Sequence, residues 1–541
     1  MGDGVGVRRD HRVVVIGAGV GGLVSALLLA CKGLDVTLVE AAAAPGGKMR
    51  QQVVDGARID GGPTVFTMRW VFDQIFAQAG TTLEAELALQ PLSVLARHAW
   101  RGRGGAPHVP ATDRLDLLAD KVASADAIAR FAGPAEGRRY LAFCDETAKV
   151  YRHLETAHIR SQRPNLLSMG KRLGPAGLGT LAGLGPFATL WQRLAHHFHD
   201  PRLQQLFGRY ATYCGTSPWV APATLMLVAH VEQCGVWSLR GGMHTLAQSL
   251  AGLARARGAR LVLGQRCEQI ETRQGRVAAV RLADGRVLPA DAVIFNGDAQ
   301  ALSQGLLGPA VTRAAPPVQV QQRSLSALTW AVHAPTSGFD LVRHNVFFDD
   351  DYASEFDDIF RQRRLPQRGT VYVCAQDRDD LGAAPGAAGN VRAERLLCLV
   401  NAPPDGDNRP LEASEIASCQ TRSLALLQHC GLQVDPQPHQ MQATTPTDFN
   451  RLFPATGGAL YGPASQGWMA VFRRSGSTTP VPGLYLAGGS VHPGPGVPMA
   501  AMSGRLAAET LLEHLDSTSR SRRAATSGGI STPSATTADT D

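Results

Sequence analysis

At 541 residues and 57.4 kDa, the chain is too long for one hydrophobic core and implies roughly two to four domain-sized units. Its 44% hydrophobic content excludes wholesale disorder, and 18% charged residues with 58 glycines leave much aliphatic surface to bury or to use. The net charge of +7 points to anionic partners, and no uninterrupted apolar stretch reaches the roughly 20 residues of a membrane-spanning helix.

The first predicted element is the buried parallel strand Arg12-Val13-Val14-Val15-Ile16, apolar and β-branched. It runs into Gly17-Ala18-Gly19-Val20-Gly21-Gly22, then a helix through Ala30, then a second strand from Val36 to Val39 that ends at Glu40. This is a G-x-G-x-x-G fingerprint in strand–helix–strand context. Gly17 makes the tight turn, Gly19 lets the backbone approach a pyrophosphate, and Gly22 lets helix and strand pack closely. The helix amino terminus offers unpaired N–H groups to the phosphates, and Glu40 is placed to accept hydrogen bonds from an adenosine ribose. The same acid repels a 2′-phosphate, which disfavours NADP. The glycines also interrupt what could pass for a signal sequence. Nine cysteines without a C-x-x-C pair fit reduced thiols and a cytoplasmic location. Gly6 stands where myristoylation would need Ser or Thr.

Two glycine turns follow the acid, Pro45-Gly46-Gly47-Lys48-Met49 and Asp60-Gly61-Gly62-Pro63-Thr64. Residues 150–209 then carry eight Lys/Arg against Glu155 and Asp200, a local +6 that accounts for nearly all of the chain's excess. Within this segment Leu166, Met169, Leu173, Leu178, Leu181, Leu184, Phe187, Trp191 and Leu194 recur at helical spacing. Its glycines, with Pro175 and Pro186, preclude one long regular helix. Short amphipathic pieces flanked by cations fit a surface that dips into an anionic leaflet, a lid on the substrate part being the alternative. Residues 258–296 read as a β-meander with turns at Gln274-Gly275 and Asp284-Gly285, closing on the buried strand Ala290–Asn296. The last block is a strand, Gly483–Gly488, then Gly489-Ser490-Val491-His492 and the Pro493–Pro498 loop, then a helix from about Ala500 to His514. From Asp516 the Ser/Thr/Ala/Gly-rich chain is expected to be a disordered tail.

The Gly-Gly-Lys turn after the acid resembles FAD-binding oxidoreductases of the amine oxidase and carotenoid desaturase group. Tyr485–Pro498 and Gly61-Gly62-Pro63-Thr64-Val65-Phe66-Thr67 resemble bacterial-type carotenoid desaturases, over essentially residues 12–512. Phe66–Asp73, Phe207–Tyr213 and Gly235-Val236-Trp237 with Gly241–His244 are similar to the 1-hydroxycarotenoid 3,4-desaturase branch. The resemblance implies an α/β fold: a discontinuous Rossmann-like FAD-binding domain (10–90, 240–300 and 480–515), with an inserted α+β substrate domain (91–149, 210–239 and 301–479). A helical, membrane-associating part would occupy 150–209 and the tail 516–541. The implied activity is FAD-dependent introduction of a C3–C4 double bond into an acyclic 1-hydroxy or 1-methoxy carotenoid. A phytoene-type desaturase or carotenoid isomerase, a flavin amine oxidase and a non-enzymatic prenyl-protein escort are the alternatives.

Expected cofactor contacts are Gly17, Gly19, Gly22, Glu40, Gly46, Gly47, Lys48, Pro63, Thr64, Gly488, Gly489, Ser490, Pro498 and Met499. His492 and the Pro493–Pro498 loop are expected at the flavin or the reacting end. No catalytic base is named: Asp145 and Glu146 read as surface carboxylates. His196, His197 and His199 read as a solvated cluster, so no metal is expected. The expected partners are an apolar carotenoid and, peripherally, the inner or photosynthetic membrane, with no nucleic acid.

Overall fold

The computed structural model describes residues 11–101, 112–185, 187–378 and 393–526. Its first layer is a five-stranded, wholly parallel sheet in the order Leu484–Leu486, Ala292–Phe295, Arg12–Ile16, Asp35–Val39, Arg260–Val262. The first four are short apolar runs with buried interiors, as a parallel sheet covered by other layers requires, while Arg260–Val262 at the edge is only half-buried. On one face the helix Val20–Cys31 packs against the helices His244–Ala256 and Val497–Thr526. Small residues set that approach. Ser25 Oγ lies 2.9 Å from the carbonyl oxygens of both Gly21 and Gly504, and a side chain at Gly504 would overlap the Gly21 carbonyl. The antiparallel meander Cys267–Arg273, Arg276–Leu282 and Val287–Pro289 covers the other face.

Two boundaries differ from the sequence expectation. Arg260–Val262 does not belong to the meander; it extends the parallel sheet beside Asp35–Val39. It directly follows the helix His244–Ala256, and a strand entered from a crossover helix joins its sheet in parallel. The final helix passes His514 and runs to Thr526, so residues 516–526 are helical where a disordered tail was expected. That stretch holds Ala and Arg with no Gly or Pro to stop it, and these outweigh its serines and threonines. The rest of the expected tail, 527–541, lies outside the described residues.

The second layer is a seven-stranded sheet in the order Met441–Thr444, Ser326–Ala334, Glu394–Ala402, Val371–Ala375, His344–Phe348, Val94–Arg101, Thr112–Leu118. It is antiparallel except for the His344–Phe348/Val94–Arg101 pair. The period of two divides its side chains. Leu396, Cys398 and Val400 pack under the helix Ala413–His429, while Leu397, Leu399 and Asn401 turn to an internal cavity.

A helical layer closes that cavity. Pro134–Leu154 continues through a π-helical turn, Glu155–Ile159, and is followed by Leu166–Gly183, Leu190–His197, Pro201–Gly208 and the 3-10 turn Arg209–Cys214. Leu166–Gly183 breaks at Gly174 (φ 62°, ψ −179°), immediately before Pro175, as the glycine and proline content predicts. Part of the basic excess of this segment is neutralised. Arg160 pairs with Glu155, Arg193 with Glu146, and Arg202 with Asp200 and Asp113, while Arg209 is turned inward. Among the described residues, Arg152, Arg163, Lys171 and Arg172 remain without an ion pair. No helix among them is long and apolar enough to cross a membrane.

Candidate active site

The first predicted motif forms a glycine cradle. Gly17 has φ 97°, and its N–H donates to the Val39 carbonyl at 2.7 Å, fixing the turn to the neighbouring strand. A Cβ at Gly22 would stand 2.0 Å from the Gly17 carbonyl oxygen, and one at Gly21 would stand 2.5 Å from Asn296 Oδ1. Gly19 caps the helix Val20–Cys31 without any side-chain hydrogen bond, so the first-turn N–H groups stay available to an anion. Glu40 Oε2 accepts from the Ala18 N–H at 2.6 Å and Oε1 from the Ala42 N–H at 2.8 Å. Its carboxylate therefore holds the loop while lining the cavity, and each oxygen keeps capacity for a second donor such as a ribose hydroxyl.

Asn296 is a residue that the motif reading missed. It stands at the end of Ala292–Phe295 and donates from Nδ2 to the Gly17 carbonyl at 3.0 Å. Its side chain backs Gly19, Gly21, Gly22 and Gly488 together. The available signal was its position at the carboxyl end of a buried parallel strand, where α/β sheets bind ligands.

The other predicted residues converge on the same cavity. Gly46 N–H donates to the Ala18 carbonyl at 2.8 Å, Gly47 sits over the Gly19 Cα, and a side chain at Gly62 would overlap the Lys48 carbonyl. Lys48 itself turns aside: its ammonium donates to the Leu460 carbonyl and lies 5.3 Å from the Phe453 ring, with burial pushing its pKa down. Pro63 and Thr64 line the cavity, and Thr64 Oγ1 is 2.6 Å from the Tyr372 hydroxyl. Gly488, Gly489 and Ser490 line it too, with Ser490 Oγ accepting from the Ala299 N–H at 3.2 Å. Pro493–Pro498 and Met499 complete this wall at the start of the last helix.

His492 departs from the expectation. It is buried behind the wall, its Nε2 2.8 Å from the Ser161 carbonyl and its ring edge-on to His158 at 4.6 Å. His158, carried by the π-helical turn, is the imidazole that reaches the cavity. Burial pushes His158 down to about 3 and His492 down to about 4, which keeps both neutral. Asp145 pairs with Lys121 at 3.1 Å, and Glu146 binds Arg193 and His197. That makes Glu146 a structural acid between helices. Among the described residues no His/Cys/Asp/Glu group is arranged to hold a metal ion.

The cavity measures about 1340 Å³, above the roughly 300–1,000 Å³ of ordinary ligand pockets. It joins three regions: the glycine cradle, a polar recess at Arg209, Tyr213, Glu232, Tyr372 and Thr329, and an apolar arm. Met169, Leu173, Leu181, Leu184, Leu225 and Val228 are among the arm's walls. At its rim the lining residues Leu166 and Leu178 are 54% and 49% exposed. Leu167, next to Leu166 in the chain, is 87% exposed, and Phe187, 76% exposed, meets the lining Trp468 at 6.1 Å. A cradle with no room for a Cβ at Gly21 or Gly22, two glycine turns and a cavity of this volume fit an extended dinucleotide lying against a long apolar ligand.

Residues 20–512 match the model of the flavin-containing amine oxidoreductase family. The chain is 65% identical over 529 residues to a hydroxyneurosporene desaturase of Rubrivivax gelatinosus, covering 98% of each chain. It is 44% identical to a hydroxyneurosporene desaturase of Cereibacter sphaeroides, covering 94% of this chain and 99% of that one. A solved putrescine oxidase with bound putrescine superposes with a TM-score of 0.57 at 15% identity, over 94% of this chain and 99% of that one.

Proposed function

Because the chain belongs to the flavin-containing amine oxidoreductase family, and within it to the carotenoid desaturases, we propose that it is an FAD-dependent desaturase of acyclic 1-hydroxy or 1-methoxy carotenoids. The 65% identity to the Rubrivivax enzyme over nearly the full length of both chains carries this reading. When bound, FAD supplies a two-electron acceptor for the hydride lost from the allylic C4, and loss of a C3 proton completes the C3–C4 double bond.

The chain's own part is to bind, align and keep water out. Gly17, Gly19 and Gly22, with the uncapped first turn at Val20, receive the pyrophosphate. Glu40 is set for the ribose. Gly46, Gly47 and the Lys48 backbone clasp the cradle from above. Pro63, Thr64, Gly488, Gly489, Ser490, Pro498 and Met499 border the redox end, where they leave room beside the apolar arm. The arm's leucines hold the polyene by contact alone, which matches a substrate with no polar group along most of its length. Its exposed rim, together with unpaired Lys171 and Arg172, forms a mouth on a membrane surface, with the protein bound peripherally. No helix among the described residues is long and apolar enough to span that membrane.

The test is anaerobic incubation of the FAD-loaded protein with 1-hydroxyneurosporene, following flavin bleaching together with a red shift of the lengthened chromophore. Bleaching with phytoene but not with the hydroxylated substrate would replace this reading with a phytoene-type desaturase. A protein that cannot be reconstituted with FAD would replace it with the escort reading.

A further inference from the structure

Arg209 sits at the polar recess of the cavity; among the described residues no carboxylate bonds it directly, and Glu232 and Glu355 act on it only at longer range. Its guanidinium carbon lies 5.2 Å from each of the Tyr213 and Tyr372 ring centres, and Nη1 donates to the Tyr213 hydroxyl at 2.9 Å. Glu232, the acid that also lines this recess, is held by the Tyr210 hydroxyl at 2.7 Å. Tyr372 in turn links the recess to the turn at Pro63-Thr64, its hydroxyl 2.6 Å from Thr64 Oγ1 and 2.8 Å from His344 Nδ1. A second polar group faces the same space: Thr329 Oγ1 is buried, lines the cavity and has no hydrogen-bond partner among the described residues.

The buried carboxylates Glu232, which shares the Tyr213 hydroxyl with Arg209, and Glu355 offset the guanidinium charge only from a distance. Its remaining N–H groups and the unpaired Thr329 hydroxyl therefore still cost free energy if left without a partner. A bare polyene offers neither group anything. An oxygen on the saturated end of the chain offers both an acceptor, and C1 is only three bonds from C4. A guanidinium donates and never accepts, so it serves an alcohol and an ether oxygen alike.

Resting on the desaturase reading, we propose that Arg209, braced by Tyr213 and Tyr372, receives the C1 oxygen of the substrate and so sets the register of C3 and C4 beside the Thr64 turn. The oxygenated end then enters first and lies in the recess, and the polyene trails through the leucine-lined arm to the exposed rim. Arg209 is on this account the residue that selects oxygenated ends over hydrocarbon ends.

The test compares 1-hydroxyneurosporene with its deoxy analogue 1,2-dihydroneurosporene, on the FAD-loaded wild type and on Arg209→Met and Arg209→Lys. Loss of a charged donor to a buried acceptor corresponds to about 10- to 100-fold. Arg209→Met should therefore lower the ratio of kcat/KM for the hydroxylated substrate to that for the deoxy one by that factor. Arg209→Lys should restore part of the preference. Equilibrium binding of the two carotenoids, followed by their absorbance in the absence of turnover, should lose its difference in parallel. Equal losses on both substrates, or an unchanged preference, would overturn the assignment while leaving the desaturase reading intact. A wild type that converts neither substrate would overturn both. If Arg209→Met does not retain FAD, Tyr213→Phe keeps the guanidinium but frees it, and should narrow the preference about 3- to 10-fold; an unchanged ratio there refutes the role.

Discussion

Replacing Gly22 with alanine places a methyl carbon 2.0 Å from the Gly17 carbonyl oxygen, about one ångström closer than a real Cβ comes to any neighbour. That oxygen cannot yield easily. Gly17 is tied to the Val39 carbonyl through its N–H at 2.7 Å, and its own carbonyl accepts from Asn296 Nδ2 at 3.0 Å. The start of the helix Val20–Cys31 must retreat instead, and with it the N–H groups that the phosphates need. Overpacking of this kind costs about 1–3 kcal/mol. Because the strain falls on the binding turn, it should surface as a roughly 10- to 100-fold loss of FAD affinity. The assay is flavin fluorescence quenching during reconstitution, with melting temperatures recorded with and without FAD. Gly252→Ala is the internal control, since it is an exposed helical glycine with nothing within 4 Å of its would-be Cβ. It should stabilise by about 0.5–1 kcal/mol and leave FAD binding unchanged. A Gly22→Ala protein that binds FAD like wild type, with the same ligand-induced rise in melting temperature, would refute the cradle.

Asn296→Ala removes one hydrogen bond of about 0.5–1.5 kcal/mol from the same turn. It should weaken FAD roughly 3- to 10-fold in the same titration without unfolding the protein. His98, His158 and His344 are pushed down to about 3 and His492 to about 4 by burial, so the folded protein holds them neutral where the unfolded chain binds protons. Stability should thus be full above pH 6.5 and fall below it, by about 2 kcal/mol per ring at pH 5. A melting temperature that stays flat from pH 7.5 to 5 would contradict that burial. Binding to anionic vesicles should weaken with salt and with Lys171→Glu and Arg172→Glu, and further with Leu167→Ser and Phe187→Ser. Co-sedimentation indifferent to all of these would remove the membrane face.

The glycine cradle was legible because its physics is local: Gly17 is required by a positive-φ turn and Gly22 by a contact with the Gly17 carbonyl, both inside six consecutive residues. Asn296 was not, because its partner Gly17 lies 279 residues away and only the sheet order brings them together. The basic segment shows the opposite error. Counting charge within residues 150–209 misses acids supplied from outside that window, and Glu146 and Asp113 are two of them. It also treats Arg209 as one more surface cation, when the 3-10 turn Arg209–Cys214 rotates it into the cavity. His492 was chosen for its place in a glycine- and proline-rich loop. A loop fixes where the backbone runs but not which of two imidazoles packed edge to face lines the cavity, and here the neighbouring His158 does.

The wall of the apolar arm carries a further consequence of its composition. Leu166–Gly183 contains Gly170, Gly174 and Gly179, and a Cβ at any of the three would meet nothing within 4 Å. Packing therefore does not require these glycines, yet Gly170 and Gly179 each weaken the helix by about 1 kcal/mol relative to alanine. Only Gly174 has a positive φ that demands glycine, at the break before Pro175. A helix so weakened has a low local opening free energy, and it forms both the cavity lining, through Met169, Leu173 and Leu181, and the exposed rim, through Leu166 and Leu178. A wall that parts easily suits a rigid polyene that must thread in from a lipid surface. Gly170→Ala with Gly179→Ala should accordingly raise amide-exchange protection across 166–183, leave FAD binding unchanged and slow turnover of the long carotenoid. Raised protection with unaltered turnover would show that substrate reaches the cavity by another route.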